Sequence, residues 1–225
     1  YVAKNDYTGA NGLFKTINDR ISMNTFATLA HPNFTDFGNI SNAYNAVADD
    51  AIVGTAVASG PAFSTNTTYS NPPSLMYYLP YYQKLLAMGY HVGPTIDHDN
   101  HYTTFGKTSY TRTAIVAPAL TKTEIVKAMR NMHFYATEDC DSKIDFSINN
   151  QIMGSQFIDR YAPVINVKLS DATTPTNNAV INIMYGEPGS GINATSIYST
   201  AGNMVTYTDI QLHDGATGYY YIDIS

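Results

Sequence analysis

The stretch Tyr90-His-Val-Gly-Pro-Thr-Ile-Asp-His-Asp-Asn-His101 decides how the chain reads. Its first half, Tyr90 to Ile96, is a short apolar run of the length of a buried strand. Its second half is a string of carboxylates and imidazoles. The helical pattern before it ends at Met88, with Pro80 placed for a first helical position and Gly89 for the residue after the end. A helix feeding an apolar strand that ends in polar side chains points to a parallel α/β arrangement, in which strand C-termini form the functional edge.

Upstream the same alternation recurs. Leu13, Phe14, Ile17 and Ile21 are spaced for one helix face, and Thr25 to Ala30 reads as a buried strand stopped by His31-Pro32. Ile40 to Asp50 reads as a short helix, Ala51 to Ser59 as a strand stopped by Gly60-Pro61, and Ser64 to Ser74 as a loop. Downstream, Thr113 to Ala117 and Phe134 to Thr137 read as strands around a helix that opens on the capping box Thr121-Lys-Thr-Glu124. This implies parallel strands with crossover helices over residues 1–140, in a barrel or an open sheet. Beyond, Ile144 to Ile148, Val164 to Leu169, Val180 to Met184, Met204 to Tyr207 and Tyr219 to Ile224 alternate with period two. Residues 141–225 are therefore expected to form an antiparallel β-sandwich-like domain without helices.

Charged residues make up 13% of the 225 residues, about half the share usual in a globular chain. The polar load is carried by Asn, Ser, Thr and 19 Tyr, which suits an extracytoplasmic setting, periplasmic or secreted. With a net charge of -6 and no Lys/Arg cluster, no nucleic-acid partner is expected. No apolar run reaches the roughly 20 residues of a membrane span. The single cysteine, Cys140, reads as structural and excludes an internal disulfide. The chain opens on Tyr1 and closes inside a strand pattern, so both ends read as cut.

Of the histidines His31, His91, His98, His101, His133 and His213, two stand just past strand ends: His31, and His101 within Asp97-His98-Asp99-Asn100-His101. Imidazole nitrogen with carboxylate oxygen is a donor set for a divalent metal. Asp99 and His101 share one side if the segment is extended; in a turn they do not. Arg112 and Arg130 could clamp a phosphate or serve as structural ion pairs. Gly186-Glu-Pro-Gly-Ser-Gly191 reads as a turn, since no Lys or helix follows it. Tyr77-Tyr78 and Tyr81-Tyr82 read as packing, or as a lining for sugar. Asn33-Phe-Thr, Asn39-Ile-Ser, Asn66-Thr-Thr and Asn193-Ala-Thr fit a glycosylation pattern that an Asn/Thr-rich chain produces by chance.

His31-Pro32 at a strand end, Gly93-Pro94 followed by Asp99-Asn100-His101, the helix Thr121 to Arg130 leading into Tyr135-Ala-Thr-Glu-Asp139, and Gln151-Ile-Met-Gly-Ser155 together resemble the PHP (polymerase and histidinol phosphatase) metallohydrolases, closest to the bacterial CehA/McbA-like branch. The resemblance spans roughly residues 24–160. It implies the C-terminal part of a distorted seven-stranded β/α barrel whose N-terminal half is missing here. It also implies divalent zinc, manganese or iron held by His31, Asp99 and His101, with His98, Arg112 and Arg130 toward the substrate. The implied reaction is hydrolysis of a small-molecule phosphoester or related ester. The family's opening His-x-His and the ligands after it have no counterpart before residue 24, and Ile52-Val-Gly54 stands where relatives carry a Glu. A chain holding part of such a site would be inactive alone. The competing reading is a non-catalytic extracytoplasmic protein that binds a glycan or a protein.

Overall fold

The computed structural model describes residues 12–68, 75–211 and 215–225. His213 and the end of the expected loop Ser64 to Ser74 lie outside them. The fold is mixed α/β and rich in sheet. In the first sheet, β1 (Ala27–Leu29) and β2 (Ile52–Ser59) run parallel, β3 (Met76–Tyr77) pairs antiparallel with Ala58 and Ser59, and β4 (Gly93–Asp97) runs parallel along the other edge of β2. β2 is buried at seven of its eight positions, as a central parallel strand must be.

The helices cover this sheet. They are α1 (Leu13–Asn18), α2 (Gly38–Ser41), α3 (Ala46–Ala51) and α4 (Leu79–Met88). The single helix expected over Ile40 to Asp50 is two, because Asn45 interrupts it: its backbone is extended and its side chain caps α3 by accepting from the Ala48 N–H. Helix α4 ends at Gly89, whose φ of 98° suits a residue without a Cβ. Phe14, Ile40, Ile52, Tyr81, Leu85 and Tyr90 form the centre of this core.

β5 (Arg112–Ile115) and β6 (Phe134–Thr137) flank β4. Helix α5 (Lys122–Arg130) lies between them in sequence, yet the two strands are antiparallel, so the expected parallel crossover does not form here. Val116 N–H bonding to His133 O extends the ladder past Ile115 and fixes that direction. Only half of the capping box forms: Thr121 accepts from the Glu124 N–H, and the Thr121 N–H donates to Ala119 O. Thr113 substitutes for a strand partner, its hydroxyl accepting from Ile96 N–H and donating to Ile96 O. Among the described residues no sheet closes into a barrel.

The remaining strands are β7 (Lys143–Ile148), β8 (Gln151–Ile152), β9 (Val164–Ser170), β10 (Val180–Gly186), β11 (Thr195–Ala201), β12 (Met204–Thr208) and β13 (Tyr219–Ile224). They form two antiparallel sheets, β12-β9-β7-β8 and β11-β10-β13. Ile165, Val167 and Val205 from one meet Ile181 and Ile183 from the other in a shared core. Strand β13 feeds both cores. Tyr220, Ile222 and Ile224 face the sandwich, while Tyr219 and Tyr221 pack on the cluster around α4. The Gly186 to Gly191 turn docks on the end of α4, with Gly191 N–H bonded to Ala87 O at 2.9 Å.

Candidate functional site

The parallel strands bring their polar ends to one edge. Beyond β1 the chain turns at the exposed His31 (φ 34°), and beyond β4 it turns at Asp99 (φ 50°). Left-handed backbone costs a residue with a Cβ about 1 kcal/mol or more, and Asp and His tolerate it better than most. Burial, followed by the charge of Asp99, pushes the Asp97 carboxyl up; His31 and His98 pull it back down. Two carboxylates and two imidazoles from β1 and β4 thus lie within electrostatic reach of one another.

His101 is fixed by two contacts. Its Nδ1–H donates to Asp99 O at 2.6 Å, and its ring stacks on Phe63 with centroids 4.6 Å apart. A carbonyl on Nδ1 leaves Nε2 for a ligand, the arrangement found at metal-bound histidines. The turn at Asp99 removes the extended geometry that would put Asp99 and His101 on one side. The loops after β2 and β4 are also laced together. Gly60 N–H donates to Asp97 O, His101 N–H to Ala62 O, and the Thr104 hydroxyl to Ser64 O. Asn100 closes the turn by accepting from Tyr102 N–H and donating to Thr104. The Gly60-Pro61 bond within this lacing is cis.

The three residues expected at the substrate are held by main-chain carbonyls. His98 Nε2–H donates to Thr111 O at 2.9 Å. Arg112 donates to Gly106, Ser109 and Thr111 carbonyls and so shapes the loop before β5. Arg130 donates to Thr25 O and Asp50 O, both of which precede their strands, at the opposite end of the sheet from His31 and Asp97. Its charge there suits the C-terminal carbonyls of α3.

Asp97 and Glu138 were not singled out from the sequence. Asp97 stands two residues before Asp99, the same spacing that pairs Asp99 with His101, so the sequence held its signal. Glu138 follows β6 and lies against Tyr77, whose hydroxyl is pushed up by desolvation and then by that carboxylate. Phe63 carried no chemical signal at all.

Among the described residues, the group of three or more His, Cys, Asp or Glu whose ligand atoms all fall within 4.8 Å of one another is Asp139, Cys140 and Asp141. His31, Asp99 and His101 are not drawn that close. The carboxylates of Asp139, Asp141 and nearby Asp171 already accept from Ser142, Thr173 and Thr174, which pin this segment to the turn after β9. At the sheet's other end, Asp49 accepts from His91 N–H, His91 Nδ1 and the Tyr44 hydroxyl. Burial raises the Asp49 carboxyl, but these bonds outweigh it and hold it below its ordinary range. The same pair raises His91, and burial with the Asp49 bond pushes Tyr44 up to about 12.

No helix among the described residues is long and apolar enough to cross a membrane. Comparison with protein-family models, with curated proteins and with solved structures finds no match.

Proposed function

We propose that the chain is part of a metal-dependent hydrolase, a phosphoesterase related to the PHP metallohydrolases, working outside the cytoplasm. The observation that carries this reading is that His31, Asp97 and Asp99, just past or at the ends of β1 and β4, lie within electrostatic reach of one another, next to a His101 whose Nδ1 is held by the Asp99 carbonyl. By donor chemistry, imidazole nitrogen and carboxylate oxygen fit zinc, manganese or iron. His31, Asp99 and His101, with Asp97 added, would hold the ion, and a two- or three-metal cluster would need further ligands. The partial barrel of that family remains part of this proposal.

The bound ion would supply Lewis acidity and lower the pKa of water. In the net reaction a P–O bond breaks, water gives its oxygen to phosphorus, and a proton goes to the leaving alcohol. His101 is oriented by Phe63 and Asp99 O. Arg112, donating to main-chain carbonyls of the loop before β5, helps keep that loop in place.

Metal analysis of the intact protein, with the missing barrel half that this reading expects, and its turnover of bis(4-nitrophenyl) phosphate test the reading. Stoichiometric metal and turnover are expected, both falling at least tenfold in His101→Ala and Asp97→Asn. A metal-free protein that never turns over favours the competing view, a non-catalytic binding protein in which His31, Asp99 and His101 are replaceable without loss.

A further inference from the structure

Five large apolar side chains stand in solvent around the strand edge that carries His101. Phe63 is 70% exposed, Phe105 71%, Tyr102 45%, Met76 66% and Tyr77 62%. They sit on three segments with a common anchor. Phe63 follows β2, Tyr102 and Phe105 follow β4, and Met76 and Tyr77 pair with the last two residues of β2. Bonds from His101 N–H to Ala62 O and from the Thr104 hydroxyl to Ser64 O hold the first two segments side by side. Exposed rings are ordinary when scattered; gathered on loops around a polar centre they mark a binding surface.

We propose that Phe63 and Phe105 form a subsite for a sugar ring, so that the ester cleaved is a sugar phosphate. This rests on the hydrolase reading above. Phe63 stacks one face on His101, and its exposure leaves the rest of the ring open beside the open Nε2. A C–H-rich pyranose face fits a flat aromatic ring. The neighbours select among ring-bearing ligands. The same two loops carry Thr67 and Thr103, neutral groups suited to hydroxyls, while Ser64, Asn66 and Thr68 bond to one another.

Three phosphate esters of primary alcohols separate the possibilities: glucose 6-phosphate, benzyl phosphate and methyl phosphate. The whole protein should show a KM for glucose 6-phosphate at least tenfold below that for methyl phosphate. Phe105→Ala should erase that difference through KM and leave methyl phosphate hydrolysis unchanged, and Phe105→Tyr should restore it; in Phe63→Ala the ratio of the two KM values should collapse as well. A benzyl phosphate KM well below that of the sugar ester, or an unchanged sugar KM in Phe63→Ala and Phe105→Ala, overturns the sugar subsite. Should none of the esters turn over, the hydrolase reading fails separately. Saturation-transfer NMR then decides the subsite: transfer to the glucose 6-phosphate ring protons that disappears in Phe63→Ala upholds it, and no transfer in the unaltered protein refutes it.

Discussion

Asp49 is the residue whose surroundings bear most directly on pH. It accepts three hydrogen bonds, two of them from His91, and so ties α3 to the segment entering β4. His91 is raised in the fold, so its contribution is full below its ordinary value of 6.5 and fades as pH climbs through the raised value. Asp49 is lowered, so its contribution is full above its ordinary 3.8 and fades as pH drops through the lowered value. Stability from this pair should therefore be greatest in mildly acidic solution. Asp49→Ala should cost about 1–3 kcal/mol, since three donors lose their acceptor. Thermal melts across pH 3 to 9 check both statements: Asp49→Asn should flatten the profile. At this scale the sequence was informative for groups with chemistry of their own. The places of His31, Asp99 and His101 just past strand ends were legible, whereas the stacking of Phe63 on a histidine in a different loop was not.

At the scale of elements, close packing sets the tolerances. The Phe134 ring lies over β4 where a Cβ on Gly93 would approach it to 2.7 Å, and one on Gly54 to 3.3 Å. Gly93→Val should therefore destabilise by about 1–3 kcal/mol, as overpacking does in a filled core, and urea denaturation measures it. Thr113→Val should cost on the order of 1–3 kcal/mol, because Ile96 N–H and C=O lose their partner together. The same contacts show which elements could be read in advance. β2 and α4 carry apolar runs and stop signals in their own residues. β11 does not: Thr195-Ser-Ile-Tyr-Ser-Thr-Ala201 is mostly polar and exposed, and only pairing with β10 makes it a strand. The direction of β5 against β6 was equally hidden, since a helix between two strands normally signals a crossover and the Val116–His133 bond is a tertiary fact.

At the scale of the molecule, β13 joins what the sequence divided near residue 141. Its odd tyrosines, Tyr219 and Tyr221, belong to the core around α4, with Tyr221 set edge-on to Tyr82 and bonded to Gln83. Its even residues belong to the sandwich. Period-two alternation was visible; that each face would find a different core was not. Tyr221→Ala should destabilise by about 2 kcal/mol or more, given the size of the buried ring face. The unaltered protein should melt in one calorimetric transition, and the variant should broaden or split it.

This strand also sets an order of events during synthesis. It follows in the sequence every element it packs against, so the ribosome completes all their other strands and helices before either hydrophobic interior can be sealed. Nascent chains halted before residue 219 would expose the tyrosine-binding flank of one half and the open side of the other at once, and such intermediates are the natural clients of a holdase chaperone.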